Sequence, residues 1–268
     1  MIYLLLAINA LLMIGLPIVL GLFVARRFQQ PWKLFGIGAA TFVLSQIGHL
    51  PFNFLLLNPW VEGFVGDGQV LSRVILVALA LGLSAGVFEE AARYLTFRFW
   101  AKEARDWASG LMVGAGHGGI EAIILGVLAA VGIVNVYLIL TGSLESLVPA
   151  DAAGQAVEQL AAAQEQVQEL VNGPRYVLLL GALERVFALI LHLSLSLMVL
   201  QTFIRRNIGW LLAAIGWHAI VNAAAVAGQI SGWTPLQIEA MLGITAVISL
   251  FIIVWLRKGQ ESAPGAGD

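Results

Sequence analysis

The sequence predicts an all-α protein, a polytopic bundle of about seven membrane-spanning helices, and three observations carry that expectation. Hydrophobic residues fill 60% of the 268 positions and charged residues 11%, where soluble domains carry roughly 25% charged. Mean hydropathy is +0.90. Apolar stretches of about 20 residues recur along the whole chain, each long enough to cross roughly 30 Å of hydrocarbon as a helix.

The spans fall near Leu4–Val24, Leu34–Leu57, Val74–Phe97, Ala108–Leu140, Tyr176–Phe203, Ile208–Ile230 and Leu236–Leu256. Polar and helix-breaking residues punctuate them. Arg26, Arg27 and Pro31 follow the first span, Asn58-Pro59-Trp60 the second, and Gly173-Pro174 precede the fifth. Lys and Arg set the orientation. Arg26, Arg27, Lys33, Arg98, Lys102, Arg105, Arg205, Arg206, Arg257 and Lys258 fall on one side of this arrangement, and Arg73 and Arg175 on the other. The positive side is cytoplasmic, so the amino terminus is expected outside, the carboxyl terminus inside, and the first helix an uncleaved anchor.

Residues 1–259 read as one transmembrane domain and 260–268 as a flexible polar tail. Within the domain, the loop 142–173 is acidic and rich in Ala and Gln, with Val157, Leu160, Val167, Leu170 and Val171 at helical spacing. That pattern predicts an amphipathic helix on the outer face, either a solvated cap or a lid over a substrate entrance. The absence of cysteine excludes disulfides and thiolate chemistry. Nothing in the charge pattern points to nucleic acid; the lipid bilayer is the expected partner.

Function is sought in the few ionisable groups inside the spans, because a charge at bilayer depth costs on the order of 3 kcal/mol unless paired or hydrated. They are Glu89, Glu90 and Arg93 on the third span, His117 and Glu121 on the fourth, Glu184, Arg185 and His192 on the fifth, His218 on the sixth and His49 on the second. A rise of about 1.5 Å per residue brings Glu89, His117, His192 and His218 to overlapping depths in the cytoplasmic half. His49 lies nearer the outer surface, as a histidine hydrogen-bonded to a neighbouring helix. Glu89 with Arg93, His117 with Glu121, and His218 with Asn222 are i,i+4 pairs, so each shares one helix face. The arginines read as members of interhelical ion pairs, Arg93 to Glu90 and Arg185 to Glu121.

Glutamates and imidazoles together suit peptide hydrolysis. A carboxylate acts as general base on water, while imidazole and amide groups stabilise the oxyanion. Three histidines, His117, His192 and His218, with a carboxylate could instead hold zinc, although no H-E-x-x-H spacing is present. A different class of function is a proton-coupled transporter, with Gly114, Gly116, Gly118 and Gly119 loosening the fourth span into an unwound segment. A third is a binding protein that grips a peptide without cutting it.

The strings Gly86-Val87-Phe88-Glu89-Glu90-Ala91-Ala92-Arg93-Tyr94, Gly116-His117-Gly118-Gly119-Ile120-Glu121, Glu184-Arg185 leading to His192, and Trp217-His218-Ala219-Ile220-Val221-Asn222 resemble the YhfC family of intramembrane proteases. That family is thought to be related to the CAAX-processing and bacteriocin-processing (CPBP) endopeptidases. The resemblance implies an intramembrane endopeptidase in the prokaryotic plasma membrane, acting on a peptide or a membrane protein without a required cofactor, or with zinc. It implies that Glu89 is the base, Glu90 its neighbour and Arg93 its organiser. His117 would help position water, a role that His192 could also fill, and His218 with Asn222 would stabilise the oxyanion. Glu121, Glu184 and Arg185 would support them.

Overall fold

The computed structural model describes residues 1–65, 71–144 and 154–261, and its regular structure is helical throughout. The helices are α1 (Ile2–Arg27), α2 (Trp32–Phe52), α3 (Asn58–Val65), α4 (Leu71–Leu95), α5 (Trp107–Leu140), α6 (Gly154–Asn172), α7 (Leu180–Ile204), α8 (Gly209–Ile230) and α9 (Pro235–Glu261). A π turn, Asn53–Leu57, joins α2 to α3; a second, Thr96–Trp100, extends α4; and a 3-10 turn, Arg175–Leu179, leads into α7. Among the described residues, seven stretches are long and apolar enough to cross a membrane: Ile2–Arg27, Trp32–Val61, Leu71–Trp100, Trp107–Leu140, Arg175–Ile204, Gly209–Ile230 and Pro235–Lys258. Each coincides with one of the seven expected spans to within a few residues at either end. The amphipathic helix expected in the loop is α6, and most of the expected tail lies outside the described residues.

The chain forms two compact units. The first comprises Met1–Gly15 and Ile123–Leu183. Here Asn9 ties α1 to the start of α7, its Oδ1 accepting the Ala182 N–H at 2.8 Å. That N–H belongs to the first turn of a helix, where no intrahelical partner exists. Gly126 lets α5 approach Met13 and Ile14 of α1.

The second unit, Leu16–Ala122 with Glu184–Asp268, holds every candidate site residue. Its core centres on α7, buried at every position from Leu191 to Leu200, and includes Phe97, Met112, Val113, Leu195, Val199 and Leu256. Water-driven burial cannot hold such helices together in lipid, so close backbone approach takes its place. Gly82 and Gly86 present α4 to the backbone of Ala219 and Ile215 on α8. On α5 the glycines serve two neighbours: Gly110, Gly114 and Gly118 face α7, whereas Gly116 abuts the Phe35 carbonyl of α2. The unwound segment that these glycines would permit in a transporter is not formed: α5 is continuous over 34 residues and its glycines serve close helix packing.

Basic residues organise one end of this unit. Arg105 donates to the carbonyls of Phe97, Ala101 and Ala104, capping the end of the α4 segment, and stacks on Phe203. Arg205 stacks on Trp210 and Trp255.

A Cβ at Gly38 would lie 2.0 Å from the Val113 carbonyl oxygen, whereas one at Gly36, on the same helix, meets nothing within 4 Å. Gly38→Ala is therefore expected to lower stability by about 1–3 kcal/mol, and Gly36→Ala to leave it unchanged or raise it by up to about 1 kcal/mol. Thermal unfolding of the two variants in the same detergent measures the difference.

Candidate active site

Four helices of the second unit each deliver polar side chains to one buried layer. The i,i+3 and i,i+4 spacing on α4 turns Glu89, Glu90 and Arg93 toward α5, α7 and α8 together. The close α4–α8 contact at Gly86 then brings His218 alongside, its Nδ1 2.7 Å from Glu90 Oε1.

Arg93 is fully buried. One guanidinium N–H pairs with Glu90, while Nη2 donates to His192 Nδ1 at 2.6 Å and lies 3.9 Å from Glu89. Because arginine can only donate, His192 carries its hydrogen on Nε2, which donates to Glu121 Oε2 at 2.7 Å. Glu121 Oε1 in turn accepts from Arg185 at 2.7 Å, and Arg185 also pairs with Glu184. The expected pairs Arg93–Glu90 and Arg185–Glu121 are both present.

Glu89 stands beside this chain. Its Oε2 accepts from His117 Nε2 at 3.0 Å and its Oε1 from Gln46 Nε2 of α2 at 3.3 Å. The other ring nitrogen of His117, Nδ1, is buried without a hydrogen-bond partner. Four carboxylates, Glu89, Glu90, Glu121 and Glu184, thus face two arginines. Glu184 is 44% exposed, so the enclosed excess is a single carboxylate, which protonation of a carboxyl or imidazole group or a bound cation would offset.

A cavity reaches this layer. Glu89, Glu121, His192, His218 and Asn222 line it at one end, with Glu184, Phe187, Gln229, Ile238 and Thr245 along the rest. Asn222 is half-buried in its wall.

Glu89, His117 and His192 offer ligand atoms within 4.8 Å of one another. A carboxylate with two imidazoles is a donor set of catalytic zinc sites, and the unpartnered His117 Nδ1 and surplus negative charge also fit a cation. His218 instead pairs with Glu90, so the compact group holds two of the three histidines considered from sequence together with a carboxylate. Both nitrogens of His192 are hydrogen-bonded, and Arg93 would have to release Nδ1 for that atom to coordinate.

His49 differs from expectation in its partners: it is hydrogen-bonded along its own helical segment to Gln46 and Asn53, and only Asn53 reaches the neighbouring helix, accepting from Ser84 of α4. Two groups escaped the sequence reading. Gln46 is a neutral amide in an apolar span, marked only by its place one turn before His49. Glu239 of α9 is buried, with Oε2 unpartnered, and its charge inside the seventh span was a signal available in the sequence.

Removing the Arg93 guanidinium strands Glu90 as a buried charge. Arg93→Ala is expected to cost about 3–5 kcal/mol, most of it recovered when Glu90→Leu accompanies Arg93→Met. The Glu184 side chain is 44% exposed, so Glu184→Gln should change stability by no more than about 1 kcal/mol. Unfolding curves of the three variants decide both points.

A family model described as YhfC intramembrane metalloprotease matches residues 12–258. The chain is 33% identical over 263 residues to the uncharacterized membrane protein YhfC of Bacillus subtilis (strain 168), covering 96% of this chain and 95% of that one. No solved structure matches.

Proposed function

The chain belongs to the YhfC intramembrane metalloprotease family, and we propose that it is an endopeptidase whose attacking water is activated by Glu89. The observation that carries this reading is the placement of Glu89, buried on His117, at the inner end of a cavity that also exposes Asn222 and His218. The family match supports a multi-pass membrane protease.

Each group has a part in the chemistry. Glu89 takes the proton of a water at the end of the cavity, as a general base within hydrogen-bond reach. His117 and Gln46 hold its two oxygens so that one lone pair faces the water. Asn222 donates to the oxygen of the scissile carbonyl as it becomes an oxyanion. His218, fixed by Glu90 through Nδ1, presents its other face to the cavity and in its imidazolium form donates there as well. Arg93 positions Glu90 and His192 rather than touching substrate. Glu121 and Arg185 extend that support.

A second reading is a zinc-dependent protease, favoured by the compact Glu89–His117–His192 donor group and by the description of the family. Those three residues would hold the metal. It would supply Lewis-acid polarisation of the carbonyl and a more acidic water. Under the first reading the same residues act as base, positioner and support without it.

Glu89→Gln keeps the shape of the side chain and removes the base. Cleavage of a quenched peptide library by purified protein should fall by about 10²–10⁴-fold with an unchanged melting temperature, and Asn222→Ala should lose about 10²–10³-fold. Full activity of Glu89→Gln refutes the mechanism. A zinc chelator should leave wild-type cleavage intact; loss of cleavage restored by added zinc selects the second reading.

A further inference from the structure

The cavity that ends at Glu89 is an elongated slot with a direction. Along α8 its wall is formed by His218, Val221, Asn222, Ala225 and Gln229, a single helix face recurring every three to four residues. Eleven residues separate His218 from Gln229, so the slot is about 16 Å long. Exposure rises along it: Glu89, His192 and His218 are buried, Asn222 and Ala225 half-buried, and Gln229 exposed. Ile238 at the start of α9 is half-buried at the same end. The mouth therefore lies where α8 ends and α9 begins.

That end is opposite the basic loops. Arg205 and Arg206 precede α8, and Arg257 and Lys258 close α9, so both helices run from the mouth to the positive face. By the positive-inside rule the positive face is cytoplasmic and the mouth external.

The slot also selects the shape of its occupant. Its cavity volume is about 160 Å³ as it stands. A helix of the same length, roughly 10 Å across, would need on the order of 1,200 Å³. An extended strand of about five residues spans the distance and, being thinner than a helix, asks for the smaller widening. Such a strand brings unpaired backbone groups, which need partners in a region of low polarity. Asn222 and Gln229, seven residues apart on the slot face of α8, line it with side-chain amides that make no hydrogen bond among the described residues.

We propose that this slot is the route of the substrate, which reaches Glu89 from the non-cytoplasmic side as an unwound, extended segment paired to the amides of Gln229 and Asn222. The substrate class that follows is a polypeptide whose cleaved stretch is translocated or exposed externally, and which is non-helical at the scissile bond. This inference rests on the protease reading above and adds the entry side and the conformation.

The chain contains no cysteine, so single cysteines report without background. Gln229→Cys and, at the basic end, Lys102→Cys are treated with a membrane-impermeant charged methanethiosulfonate on intact cells and on inverted vesicles. Gln229→Cys should react in intact cells and Lys102→Cys only in inverted vesicles. Modification of purified Gln229→Cys should cut peptide cleavage at least tenfold and leave that of Lys102→Cys unchanged. A peptide held extended by a proline beside the scissile bond should be cleaved at least tenfold faster than the same peptide stapled as a helix. Reaction of Gln229→Cys from the Lys102 side, undiminished cleavage after its modification, or preference for the stapled helix each overturns the proposal while leaving the protease reading in place. Cleavage of no peptide by the unmodified parent overturns both.

Discussion

A fully buried arginine is the constraint around which the second unit is built. In a medium that cannot solvate it, the Arg93 guanidinium must be met by charge and by aligned acceptors at once. Glu90 supplies the charge and His192 the acceptor, and Glu89 stands near enough to contribute. Because these partners come from α4 itself and from α7, and because Glu90 also takes His218 of α8, satisfying one cation sets the mutual register of three helices. The chain then continues through Glu121 of α5 to Arg185 of α7, alternating donors and acceptors. Hydrogen bonds in such a row polarise one another, so the row is stiffer than its members taken singly.

This stiffness has a consequence for chemistry. Arg93 dictates the tautomer of His192, and Glu90 dictates which nitrogen of His218 is engaged. Glu89 is left outside the row, bonded only to His117 and to a neutral amide, with the cavity in front of it. A layer that is mostly devoted to neutralising itself thereby leaves one carboxylate available. The remaining imbalance, three enclosed carboxylates against two arginines, leaves the arrangement compatible both with a protonated group and with a bound divalent cation.

Glycine makes this arrangement reachable. A buried polar row requires helix axes close enough for short side chains to meet, and bulky residues at the contacts would hold the helices apart. Gly82 and Gly86 on α4, and Gly114, Gly116 and Gly118 on α5, permit that approach.

Length, apolar runs and the clustering of Lys and Arg were enough to foresee seven spans and the amphipathic α6, because each of those features depends on local composition and on the thickness of a bilayer. The i,i+4 pairs and approximate depths also marked Glu89, Glu90, Arg93, His117, Glu121, His192 and His218 as one layer, since helical periodicity and rise are fixed by the backbone. Pairing was legible only in part, for Arg93 with Glu90 and Arg185 with Glu121. That His218 belongs to Glu90 while Glu89, His117 and His192 form the compact donor group depends on helix rotation and interaxial distance, which only packing sets. The role of the α5 glycines, the approach of Gln46 to Glu89 and the direction in which the cavity opens were likewise decided by tertiary structure. Each arises between helices far apart in the chain, where no spacing within one segment carries the information.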